Sequence, residues 1–83
     1  MQGPFDTEAD ALSMIAKFSG LTLADVRQRY DSGTVGTLGN PPVWAKWFEV
    51  DFADEQYAVS NPSTGVYWAW MGKIGRPLHL LGE

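Results

Sequence analysis

The stretch VWAKWFEVDF, residues 43–52, decides the fold, because its apolar residues recur with a period that only an extended strand can use. Trp44, Phe48, Val50 and Phe52 share one side with Lys46, while Ala45, Trp47, Glu49 and Asp51 share the other. The first side is expected to face a core, with Lys46 snorkelling at its edge. The second side sets Trp47 beside two carboxylates, and a tryptophan on a solvent face calls for an explanation.

Further strand patterns follow downstream. EQYAVS (55–60), VYWAWMG (66–72) and a weaker RPLHLLG (76–82) are separated by short links at 53–54, 61–65 and 73–75. Links this short join neighbouring antiparallel strands, so the region 43–81 reads as a meander of three to four strands. On the core side, Tyr57 and Val59 are expected to join the first set, as are Leu78 and Leu80. The run at 66–72 is apolar on both sides. By bulk, Val66, Trp68 and Trp70 are expected toward the core, and Tyr67, Ala69 and Met71 on the open side. The open side would then hold Trp47, Glu49 and Asp51, then Gln56, Ala58 and Ser60, then Tyr67, Ala69 and Met71, with His79 at its margin.

Upstream of the opening stretch the period changes to that of a helix. Thr7 and Asp10 form an approximate capping box, and Ala11, Leu12, Ile15 and Phe18 follow at helical spacing up to Gly20. Thr22 and Asp25 repeat the capping pattern, with Leu21 placed to staple onto Val26. Leu23, Val26 and Tyr30 mark the apolar edge of a helix running to about Asp31 and ending at Gly33. Residues 32–42, rich in glycine and ending in two prolines, read as a connecting loop. The expected architecture is α+β: a helical hairpin over 7–31, a loop over 32–42, and an antiparallel sheet over 43–81 with both helices on one face. One domain accounts for residues 1–83.

Composition narrows the functional classes. The 83 residues hold no cysteine and a single histidine, so neither a disulfide framework nor a Cys/His metal site is expected, and no cofactor is implied. The N-terminus lacks the basic and uninterrupted apolar segments of a signal peptide, and no run approaches a membrane span. These features suggest a cytoplasmic chain without a membrane partner. A net charge of −4 disfavours direct binding to nucleic acid and suits a basic partner.

Catalytic constellations are thin. Any nucleophilic triad must recruit His79, with Ser60 or Ser63 as nucleophile and no signature around either. Glu49, Asp51, Asp54 and Glu55 cluster at the first hairpin, where a solvated turn explains them as well as acid–base chemistry does. The glycine-rich loop has neither the Walker lysine nor the dinucleotide-binding spacing. No enzyme activity is expected.

Ala16, Gly20 and Val26 stand at a spacing that resembles a helix-turn-helix, which would direct Arg27 and Gln28 toward a DNA groove. The acidic first turn with Asp6, Glu8 and Asp10 opposes that reading, as does Arg29 at a position usually apolar. What remains is a small acidic interaction module, a stoichiometric binder or inhibitor of a larger protein or nucleoprotein with a basic groove. Its expected contact residues are Trp47, Glu49, Asp51, Asp54, Glu55, Tyr67 and Met71. Phage-encoded anti-defence and anti-CRISPR inhibitors share this size and charge. A homodimer through the open face, a DNA-binding regulator using the second helix, and a glycan or small-ligand binder stacking on Trp47 are the other readings.

Overall fold

The structure, a computed structural model, describes residues 3–61 and 65–82. The chain order is α1 (Glu8–Ser19), α2 (Leu23–Asp31), β1 (Thr34–Leu38), β2 (Val43–Val50), a short 3-10 turn (Asp51–Ala53), β3 (Glu55–Ser60), β4 (Trp68–Lys73) and β5 (His79–Leu80). The five strands form one antiparallel sheet in the order β1-β2-β3-β4-β5, and both helices pack on one of its faces. This is the expected α+β arrangement with one strand more.

The helix boundaries follow from their caps. Thr7 and Thr22 each accept a hydrogen bond from the backbone N–H three residues on, Asp10 and Asp25, both at 3.1 Å. Gly20 ends α1 in the left-handed region, φ 78°, where a side chain would be strained and glycine is not. Between the layers, Ala11, Leu12 and Ile15 of α1 and Val26 and Tyr30 of α2 meet Phe48, Val50, Tyr57, Val59, Ala69 and Leu81. Phe48 and Tyr57 are cross-strand neighbours whose rings stack at 5.9 Å. Phe18 and Leu23, expected in this core, are exposed because they stand at the ends of their helices, past the edge of the packed layer.

Four further expectations are corrected. The loop 32–42 contains β1, which pairs with β2 from Thr34–Trp47 to Leu38–Val43. Its glycines obscure the strand, yet Gly36 fits because the Trp47 ring lies over it, and an added Cβ would fall 2.5 Å from that ring. Secondly, Trp44 and Phe52 are 66% and 76% exposed rather than core. Trp44 has the expected orientation but precedes the part of β2 that the helices cover, where Lys46 Nζ sits 5.0 Å from the Tyr30 ring. Phe52 lies in the 3-10 turn beyond the strand, under the Arg29 guanidinium at 5.8 Å.

Thirdly, β4 is turned over relative to the reading by bulk. Its register places Ala69 beside Val59 and Met71 beside Tyr57, so Tyr67, Ala69 and Met71 face the helices and Trp68 and Trp70 face away. Packing distance gives the reason: α1 lies directly against β4, and the small, fully buried Ala69 permits that approach where an indole would hold the helix off. Finally, β5 shifts with β4. His79 is opposite Met71 on the helix side, Leu80 opposite Trp70 on the other, and Leu81 rather than Leu78 or Leu80 fills the core. Residues 62–64 of the link at 61–65, Ser63 included, lie outside the described residues. Among the described residues no helix is long and apolar enough to cross a membrane.

Candidate functional site

The helix-free face of the sheet is built from the alternate residues of each strand. One row across it reads Thr34, Trp47, Ala58, Trp70, Leu80, and the next reads Gly36, Ala45, Ser60, Trp68. Three of the four tryptophans thus share one side, standing over alanine, serine and glycine. The large rings cover the small residues: Ala45, Ala58 and Ser60 are buried although no helix lies on this side. Trp47, Trp68 and Trp70 themselves are half-buried.

Two polar side chains of this face, Ser60 and Gln56, are used internally. Trp70 Nε1 donates to Ser60 Oγ at 2.8 Å, so a buried hydroxyl and an indole N–H satisfy one another. Gln56 donates its amide to the carbonyls of Lys73 and Arg76, at 3.0 and 3.1 Å. Gly3 of the N-terminal segment sits against the Trp68 ring, and Phe5 exchanges two backbone hydrogen bonds with Tyr67 at 2.8 and 2.9 Å. A one-sided antiparallel sheet normally presents a polar solvent face. This one presents Trp47, Trp68, Trp70 and Leu80, with Thr34, Glu49 and Gln56 as its polar residues.

Beside Trp47 a cleft of about 410 Å³ opens between α2, β1 and the end of β2, lined by Arg29, Ser32, Thr34, Trp47, Glu49 and Asp51 among others. Arg29 is engaged there, donating to Asp25 at 3.0 Å and to the Glu49 carbonyl at 3.3 Å. The carboxylates of Glu49 and Asp51 are exposed and have no ion-pair partner among the described residues.

The sequence-predicted site residues therefore divide. Trp47, Glu49 and Asp51 are brought together at the cleft. Asp54 is exposed at the hairpin tip in the left-handed region, φ 54°. Glu55 pairs with Val50 and accepts the Tyr57 hydroxyl at 3.2 Å, which places it on the helix side. Burial, together with that carboxylate, pushes the Tyr57 phenol up to about 12. Tyr67 and Met71, expected on the open face, are corrected in placement: both pack against the core from the helix side. Trp68 and Trp70 were missed. The signal available for them was the run WAW itself, in which one face must take both indoles and the other the alanine.

The resemblance to a helix-turn-helix is met in outline, with Gly20 in the turn and Val26 buried. Both arginines of α2 are held by the chain's own acids, Arg27 by Glu8 at 3.1 Å and Arg29 by Asp25 at 3.0 Å. Glu8 also accepts the Tyr30 hydroxyl at 3.0 Å, and burial followed by that hydrogen bond raises the Tyr30 phenol well above its ordinary range. Ser60 and His79 lie on opposite faces of the sheet, so they do not form a nucleophile–base pair. Among the described residues no group of three or more His, Cys, Asp or Glu side chains is placed to hold a metal ion. No protein-family model, no curated protein and no solved structure matches this chain.

Proposed function

We propose that this chain is a protein-interaction module that docks a larger protein through the helix-free face of its sheet. An apolar patch of the target would cover Trp47, Trp68 and Trp70, while a basic side chain enters the cleft of Glu49 and Asp51. The observation that carries the reading is the combination of three half-buried tryptophans with polar neighbours already engaged with one another. Tryptophan is enriched at interface centres, where burial of large rigid rings dominates affinity. Unpaired acids at the margin of such a patch supply orientation and a faster encounter with a basic target.

The same observation disfavours the glycan reading. Sugars need hydrogen-bonding groups beside the stacking ring, and beside Trp68 and Trp70 the Ser60 hydroxyl and the Gln56 amide N–H groups are committed internally. That leaves Trp47 with Glu49 and Asp51 as the only part of the face suited to a sugar among the described residues. The paired arginines of α2 likewise favour a protein target over a DNA backbone. What supports a stoichiometric inhibitor, of the anti-defence kind or another, is size and charge: a small rigid acidic chain acts by occupying a surface. A cytoplasmic setting is part of the same proposal.

The test compares Trp68→Ala, Glu49→Lys and the unaltered chain as baits in extract of the source cell, each first shown to fold by its urea transition. A target recovered by the unaltered chain is then purified and titrated against all three. The expected result is at least tenfold weaker binding for each variant. A purified target bound equally by all three would remove the face from the account.

A further inference from the structure

The two edges of the sheet are built differently. β5 has two residues, His79–Leu80, and is preceded by Arg76 and Pro77, so little of that edge can be extended. The exposed start of β4 is met by the Phe5–Tyr67 bridge. Among the described residues nothing protects β1 in this way. Its sequence, Thr-Val-Gly-Thr-Leu, carries no charge, no proline and no bulge, and Val35 at its middle is 62% exposed.

Which backbone groups β1 offers follows from one hydrogen bond. Asn61 N–H donates to the Trp44 carbonyl at 3.3 Å, so Trp44 and the even-numbered residues of β2 turn their backbone groups toward β3. The odd-numbered residues therefore turn theirs toward β1, and Arg29 reaching the Glu49 carbonyl from that side agrees. Ala45 is paired with Gly36, so Thr34, Gly36 and Leu38 bond inward. Val35 and Thr37 are left with N–H and C=O groups directed out of the sheet. These groups are arranged symmetrically about Gly36.

We propose that β1 pairs antiparallel with β1 of a second copy of this chain, on a two-fold axis at Gly36, giving a continuous ten-stranded sheet. Val35 of each copy exchanges two hydrogen bonds with Thr37 of the other, four bonds in all. Gly36 faces its counterpart in the closer, non-hydrogen-bonded type of pair, about 4.5 Å apart at Cα.

Two side-chain features fit a second copy and would be idle against an arbitrary strand. On the helix-free face the Trp47 indole lies over Gly36, so the indoles of the two copies meet across the axis. Any side chain at position 36 would keep them apart. On the opposite face, Val35 of the second copy falls in the row of Thr37 and Trp44, about 10 Å from Trp44 across two strand spacings. That distance is within reach of an indole lying over Thr37. Val35 and Trp44, two large apolar side chains left exposed in the monomer, cover one another in the pair.

A five-residue edge lies at the small end of specific interfaces, so weak, concentration-dependent association is expected. The proposal shares Trp47 with the docking reading but is tested separately from it, since changes at Val35 and Thr37 leave Trp47, Trp68, Trp70 and Glu49 in place. Sedimentation equilibrium of the full chain between about 5 and 500 µM tests it. Val35→Pro removes an outward N–H that the monomer does not use, and proline is accepted at such an edge position. The expected result is a concentration-dependent doubling of mass, weakened at least twentyfold in Val35→Pro with an unchanged urea midpoint.

A second pair of variants guards against misfolding. Val35→Lys/Thr37→Lys and Val35→Glu/Thr37→Glu each place like charges opposite one another across the axis, so each should remain monomeric alone and form a mixed dimer when combined. Three results would overturn the proposal: an unaltered chain that is monomeric throughout, a dimer indifferent to Val35→Pro, or charge variants that do not associate when mixed.

Discussion

Trp70→Phe, Ser60→Ala and the double variant form a cycle that tests how the helix-free face is held together. Ser60 is 1% exposed and receives the Trp70 N–H at 2.8 Å. Trp70→Phe keeps an aromatic ring over Ala58 but strands the hydroxyl, and a buried polar group left without its partner costs about 1–3 kcal/mol. Ser60→Ala strands the indole N–H instead. That group sits on a half-buried ring where water can partly replace the serine, so the cost is at the lower end of the same range. With both groups removed, neither is stranded. The double variant should therefore be more stable than the sum of the single effects by about 1 kcal/mol, the net worth of a neutral hydrogen bond. In a domain of this size 1 kcal/mol moves Tm by roughly 4–8 °C, which circular dichroism resolves easily. Urea titrations followed at 222 nm give the three differences. Strict additivity, within about 0.3 kcal/mol, would mean that the two groups do not meet.

Further outcomes follow from the same geometry. Trp44→Ala should cost under about 1 kcal/mol, as an exposed site does, while Phe48→Ala should cost about 3–5 kcal/mol; urea midpoints distinguish them. Gly33→Ala should destabilise by about 2 kcal/mol or more, because the added Cβ meets the Trp47 backbone carbonyl rather than a side chain that can move. Tyr57 titrates at about 12 in the folded chain against 10.0 unfolded. The unfolded chain thus loses its proton first, and stability should fall as pH rises from about 10 through 12. Absorbance at 295 nm with urea midpoints at each pH checks this, and Tyr57→Phe should lessen the decline, the raised Tyr30 phenol supplying the rest.

Local signals in the sequence reached the structure where a single element supplied all the information. The caps at Thr7 and Thr22 and the glycine stop at Gly20 are short-range chemistry, legible within four residues. The faces of β2 were legible because its alternation is asymmetric: Phe48 and Val50 oppose Ala45 and Glu49. β4 has no such asymmetry. Its facing is set by how closely α1 approaches Ala69 and by which side offers Ser60 to the Trp70 N–H, and neither partner is near it in the chain. Trp44 shows a related limit, since parity gives the side of the sheet but not where the helix layer stops. β1 was hidden because Gly36 reads as a loop residue until the Trp47 ring is placed over it. Of the candidate site, Trp47, Glu49 and Asp51 were legible from β2 alone, whereas Trp68 and Trp70 needed the register.

The central claim is that the tryptophan face is the docking surface, and oxidative footprinting read by mass spectrometry tests it most directly. The chain is labelled free and in complex with its purified target, and the four tryptophans are compared. The account predicts that Trp47, Trp68 and Trp70 lose reactivity in the complex, with the helix residues Phe18 and Leu23 unchanged. Protection of Phe18 and Leu23 with the three tryptophans unchanged would contradict it and move the docking surface to the helices.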